Sequence, residues 1–125
     1  MAEFLSDAWV AELDAAAGAL RAPDDLRLVV QQVVLGDRGD ESAYTIRIED
    51  GRASVTPGRV DDAHVTFTQD RATAAAIAQG ELSAQVAFMS GRLRVGGDVR
   101  QVIDRARDLQ ALDDLFGEAR AATSW

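Results

Sequence analysis

The stretch Gly80 to Asp98, GELSAQVAFMSGRLRVGGD, constrains the fold of this chain more than any other segment. Gly80 opens an apolar, weakly helical octet that ends in Ala87-Phe88. After Gly91 the pattern changes to strict alternation, with Leu93 and Val95 on one side and Arg92 and Arg94 on the other, as expected of a strand with one buried face. Gly96-Gly97-Asp98 then stops the strand, and Asp98 is well suited to cap a following helix.

The rest of the sequence supplies partners for these pieces. Ser6 reads as the N-cap of a helix over about Asp7 to Leu20, with Leu5 placed to staple onto Val10. Trp9, Leu13, Ala16, Ala17 and Leu20 share one face of it. Leu26 to Leu35 is apolar on both sides, which predicts a central strand, bulged near Gln31-Gln32. Tyr44, Ile46 and Ile48 alternate with polar neighbours, and Asp50-Gly51 predicts a tight hairpin returning through Arg52 to Thr56. Pro57-Gly58 ends that strand. A further strand is expected over Ala63 to Thr68, with Val65 and Phe67 facing inward.

Asp70 then caps an alanine-rich helix stopped by Gly80. A short helix over Ser83 to Met89, a strand over Arg92 to Gly96 and a last helix after Asp98 follow. In that last helix Val102, Ile103, Ala106 and Leu109 form an apolar stripe. The expected order is one helix, four strands, two short helices, one strand and one helix. That is an α+β domain spanning 1–125, a five-stranded sheet covered by helices. The segment from about 118 to 125 reads as a C-terminal tail, mobile over Ala121 to Trp125.

Composition narrows the function classes. The 125 residues carry a formal charge of −8, and there is neither lysine nor cysteine. Schiff-base chemistry, disulfides and thiolate metal sites are excluded. The acidic balance argues against nucleic acid and anionic bilayers as partners. No apolar run is long enough to span a bilayer, so stable membrane insertion is not expected. The N-terminal stretch lacks the pattern of a signal peptide, and cytoplasmic location is the simplest expectation. The Ala- and Arg-rich, Lys-free usage points to a GC-rich bacterial genome.

Taken in order, Gly80, Leu82, Ala87-Phe88, Gly91, Leu93 with Val95, and Gly97-Asp98 resemble the signature of the sterol carrier protein type 2 (SCP-2) family of lipid-binding domains. The resemblance covers Val65 to about Leu112 and agrees with the element order elsewhere. It implies a stand-alone SCP-2-like domain with an apolar tunnel between sheet and helices, holding a fatty acid, acyl-CoA, isoprenoid or sterol-like lipid. It implies no cofactor and no catalytic residue. The candidate lining is Ile77, Leu82, Val86, Phe88, Met89, Val102, Ile103 and Leu109, each of which equally suits an ordinary core. No peroxisomal-type terminal tripeptide is present (the chain reads Thr123-Ser124-Trp125 at that point).

Sharper chemistry finds little support in the residues. His64, the only histidine, shares the polar parity of Thr66 and Thr68 and is expected at the surface. It lacks the companion ligands of a metal motif. Asp61 and Asp62 look like turn residues, and Ser90 lacks the surroundings of a nucleophile elbow. Arg92, Arg94 and Arg100 read as solvated, with anchoring of a ligand carboxylate as the alternative. Two other classes stay open: a small isomerase or cyclase using the same apolar cavity, and a protein-interaction module in which Trp9 or Trp125 marks the contact.

Overall fold

Asp50 and Gly51 both adopt positive φ (53° and 77°), which gives the hairpin the twist that matches its flanking strands. Around this turn the computed structural model builds a mixed sheet. It describes residues 2–19, 21, 24–36, 38–104 and 123–125. The elements are β1 (Ala2–Glu3), α1 (Asp7–Ala17), β2 (Leu28–Leu35), β3 (Glu41–Glu49), β4 (Arg52–Pro57) and β5 (Val65–Asp70), followed by α2 (Arg71–Ala78), α3 (Ala84–Met89), β6 (Leu93–Gly97), α4 (Val99–Asp104) and β7 (Thr123–Ser124). The main sheet has the order β4-β3-β2-β5-β6. Only the β2–β5 pair is parallel, and its neighbours are antiparallel. The α+β class and the five-stranded sheet flanked by helices are as expected from the sequence.

Residue parity sorts the sheet into two faces. Leu28, Val30 and Val34, with Tyr44, Ile46, Ile48, Val55 and Val65, pack into one core with Trp9, Val10, Leu13 and Ala17 of α1. The other face is crossed by the segment 58–64, which side chains pin down. Thr45 Oγ1 donates to the Gly58 carbonyl (3.0 Å), and the Val60 N–H donates to Gln31 Oε1 (2.8 Å). Arg47 grips Asp62 through two bonds of 2.8 and 3.1 Å, which hold that carboxyl below its usual range. Asp62 lies in a bend of the segment between β4 and β5.

The structure corrects four expectations. The first helix stops at Ala17, with Gly18 as its C-cap, and Leu20 lies outside the described residues. β2 has no bulge, because Gln31 pairs with Thr45 and Gln32 with Tyr44 in unbroken register. Their amides stay in line by finding partners: Gln31 Nε2 donates to Thr66 Oγ1 at 3.3 Å, and Gln69 Nε2 donates to Gln32 Oε1 at 2.7 Å.

His64 is half-buried and not a free surface group. Its Nδ1 accepts from the Val29 N–H (2.9 Å), its own N–H donates to the Val29 carbonyl (2.9 Å), and its carbonyl accepts from the Asp98 N–H (2.8 Å). One residue therefore ties the start of β5 to β2 and to the entry of α4.

The fourth correction concerns the tail. Thr123 and Ser124 pair in parallel with Ala2 and Glu3, and Thr123 is buried. Trp9 Nε1 donates to Thr123 Oγ1 at 3.1 Å, and the Trp125 ring lies 4.9 Å from that of Phe4. Docking of residues 123–125 follows from backbone pairing plus these aromatic contacts.

The caps at Ser6 and Asp70 fall where the sequence put them, and Ser83, expected inside the next helix, serves as its N-cap. Ser6, Asp70 and Ser83 each accept from a first-turn N–H, and Gly80 and Gly91 take positive φ of 80°. The Thr73 N–H donates to Asp70 Oδ1 at 2.7 Å. This bond first, with the Arg92 charge adding to it, holds the Asp70 carboxyl below the ordinary carboxylate range. Asp70→Ala is expected to cost about 1 kcal/mol, the usual worth of an N-cap, read from urea denaturation at neutral pH. A group with a lowered native pKa stabilises in full above its unfolded value of about 4, and that contribution fades as pH falls through the native value. The gap between wild type and variant should therefore narrow on acidification.

Candidate functional site

The site is built where the alanine-rich helix meets the sheet. Ala74 and Ala78 of α2 are buried against it, so the missing side-chain volume lets the helix sit close. Beside them Ile77 is half-buried. With these three, Phe67 and Gln69 of β5, Gln32 of β2, Tyr44 of β3 and Leu93 of β6 line a cleft of about 30 Å³. That is far below the roughly 300 Å³ at which small-molecule pockets begin, and it suits one small polar group. The expected alkyl-sized tunnel is not what these residues enclose.

The cleft is lined mostly by apolar side chains, with Tyr44, Gln32 and Gln69 among them. Gln32 and Gln69 carry the parity of buried residues and are joined by their 2.7 Å amide bond. Tyr44 is only 6% exposed, and its ring is held edge-on to Trp9 with centroids 5.5 Å apart. Burial pushes the Tyr44 hydroxyl well above its ordinary pKa, so a negative charge is disfavoured at this position.

The sequence candidates are distributed differently. Ile77 lines the cleft. Leu82, half-buried, sits between α2 and α3, where its N–H donates to the Ala76 carbonyl at 3.2 Å. Val86, Phe88 and Met89 of α3 are 53%, 50% and 76% exposed, while Ala87 is that helix's one buried residue. Val102 and Ile103 belong to α4, but their side chains, like all of Leu109, lie outside the described residues.

Sequence reasoning missed Tyr44, Gln32 and Gln69 as a group. The available signal was a glutamine standing twice where parity demands an apolar residue. Ser90 Oγ donates to the Ala87 carbonyl (3.2 Å) at the end of α3. Arg92 and Arg94 are exposed and do not line the cleft. Among the described residues, no three His, Asp or Glu side chains gather as metal ligands, and no helix is long and apolar enough to cross a membrane.

With this geometry in place, comparison with known proteins decides the family. The model of the SCP-2 sterol transfer family matches residues 12–109. The chain belongs to that family. Among solved structures, the SCP-2 member is similar to one described as sterol carrier protein 2, with 20% identity and a TM-score of 0.72 over 94% of this chain and 97% of that one. Palmitated SCP2L2 from Aedes aegypti is 18% identical, with a TM-score of 0.64 over 88% and 92%. Against the apo form of sterol carrier protein 2 from Yarrowia lipolytica, identity is 20% and the TM-score 0.52, covering 58% of this chain and 63% of that one. No curated protein matches the chain significantly.

Proposed function

We propose that this domain binds and transfers an apolar lipid and performs no chemistry on it. The observation that carries the reading is the family match over 12–109. Likeness in fold to a relative described as palmitated adds support. An apolar ligand also suits the physical character of α3. Its Val86, Phe88 and Met89 leave large apolar surface in water, and an adjoining hydrocarbon chain would gain up to about 0.8 kcal/mol per methylene buried.

On this reading the ligand chain runs from Ile77 past Leu82 to Val86, Phe88 and Met89. The cleft beside α2 is too small for an alkyl chain, and α3, whose one buried side chain is Ala87, borders the proposed path. Elements with few buried contacts are the ones that open at low cost.

The test is a titration with fatty acids of increasing length, octanoate to palmitate, displacing a fluorescent fatty acid. Affinity is expected to climb by at most about 14-fold per two methylenes and then level off when the wall is filled. A flat response across the series would remove the proposal.

A further inference from the structure

Between Glu81 and Asp98 the chain carries no acidic residue, although its formal charge is −8. The only charges in that stretch are Arg92 and Arg94, and both are exposed. Apolar side chains stand beside them. Val86, Phe88 and Met89 of α3 are each half exposed or more, and α3 packs on β6, an edge strand of the sheet. The turn between the two is tight, because the Arg92 N–H donates to the Ala87 carbonyl at 2.9 Å and Gly91 takes φ of 80°. Neither guanidinium joins an ion pair among the described residues. The Asp70 carboxyl feels the Arg92 charge, but its 2.7 Å bond goes to the Thr73 N–H. From this pairing of bare apolar surface with positive charge we propose that α3 and β6 form a docking surface for a partner protein, which binds through an acidic amphipathic helix.

Apolar surface left in water marks an interaction site, and Phe, Met and Arg are residue types enriched at protein interfaces. The charge says which partner fits. Carboxylates beside a partner's apolar stripe form charge-assisted bonds with the two guanidiniums, and a basic segment is turned away. An anionic bilayer offers the same chemistry but faces the whole molecule, whose −8 charge opposes approach to an extended negative surface. A single helix meets little beyond the patch, since salt screens charges lying more than roughly 8–10 Å away. A second copy of this chain on the same face would set arginine against arginine. Docking of this kind goes beyond lipid binding and does not require it.

The probe is a fluorescein-labelled synthetic peptide of roughly 15 residues, the length at which an isolated helix becomes tenable. It carries leucine at i, i+3, i+4 and i+7 with glutamates flanking that stripe, and a counterpart has lysine for each glutamate. Fluorescence anisotropy at low salt is expected to show the glutamate peptide binding at least about tenfold more tightly than the lysine peptide. Arg92→Glu with Arg94→Glu should reverse that order. Phe88→Ser with Met89→Ser should weaken the glutamate peptide by about tenfold or more, as loss of central anchors does. All four side chains are exposed, so the variants keep the fold, which an unchanged urea midpoint verifies. Equal binding of the two peptides, or an order unmoved by the arginine change, overturns the proposal. So does cosedimentation with phosphatidylglycerol vesicles that the arginine change abolishes while neither peptide binds, since the bilayer is then the occupant. A dimer seen by analytical ultracentrifugation and lost in the serine variant likewise overturns it, by making a second copy the occupant. Peptide binding of the expected order without any fatty-acid binding removes the lipid reading and upholds this surface.

Discussion

Trp9→Ala is expected to destabilise the domain by about 3–5 kcal/mol, the range found when a large buried aromatic is truncated. Trp9 is fully buried and central to a run of rings. Phe4 lies edge-on at 4.9 Å on one side and Tyr44 edge-on at 5.5 Å on the other. Each such pair contributes roughly 0.5–1.5 kcal/mol beyond the area it buries. The indole also donates to Thr123 Oγ1, so the same substitution loosens β7 from the body. Urea denaturation measures the stability change. Amide exchange at Phe4, whose N–H donates to the Ser124 carbonyl at 2.8 Å, reports the loosening. A loss under about 1 kcal/mol, with Phe4 still protected, would refute the central place given to this ring.

Gly97→Ala is expected to cost about 2–4 kcal/mol through two independent causes. Gly97 has φ of 88°, a conformation that costs an L residue about 1–2 kcal/mol. A Cβ there would also run into the His64 carbonyl oxygen and approach its carbon to 3.2 Å and Val65 Cα to 3.3 Å. Those are backbone atoms that cannot rotate away, so the strain resembles overpacking at about 1–3 kcal/mol. The neighbouring glycine provides the contrast. A Cβ on Gly96 would meet nothing nearer than the Thr66 carbonyl oxygen at 4.0 Å, so Gly96→Ala should stay within about 0.5 kcal/mol of wild type. Equal losses in the two melts would dismiss the steric account.

Much of the fold was legible because its signals are local. Asp50-Gly51 dictates a turn type, and Asp70 with Gly80 brackets a helix. The alternation of Tyr44, Ile46 and Ile48 also names its own buried face. What was hidden depends on partners distant in sequence. Nothing near Gln31-Gln32 announces that Val60, Thr66 and Gln69 will satisfy their amides, so a bulge looked like the way to place two polar residues in an apolar strand. His64 shares parity with two threonines, and only the arrival of Val29 and Asp98 makes it a junction. β7 is too short to carry any periodicity.

The cleft shows the same division. Ile77 stood out as a bulky side chain among alanines, and it does line the space. Tyr44 did not stand out, because its parity with Ile46 and Ile48 predicts burial and says nothing about a cleft beside α2. Val86, Phe88 and Met89 were legible as apolar, but their exposure depends on how α3 docks through Ala87 alone.

The pairing of Ala2 with Thr123 bears on the order of assembly. Bringing together positions 121 residues apart (123 − 2) incurs nearly the largest loop-closure entropy the chain can offer, for a ladder of two residues. Such a clasp forms only once the intervening sheet has shortened the path. It should be the last contact made in folding and the first released on gentle heating.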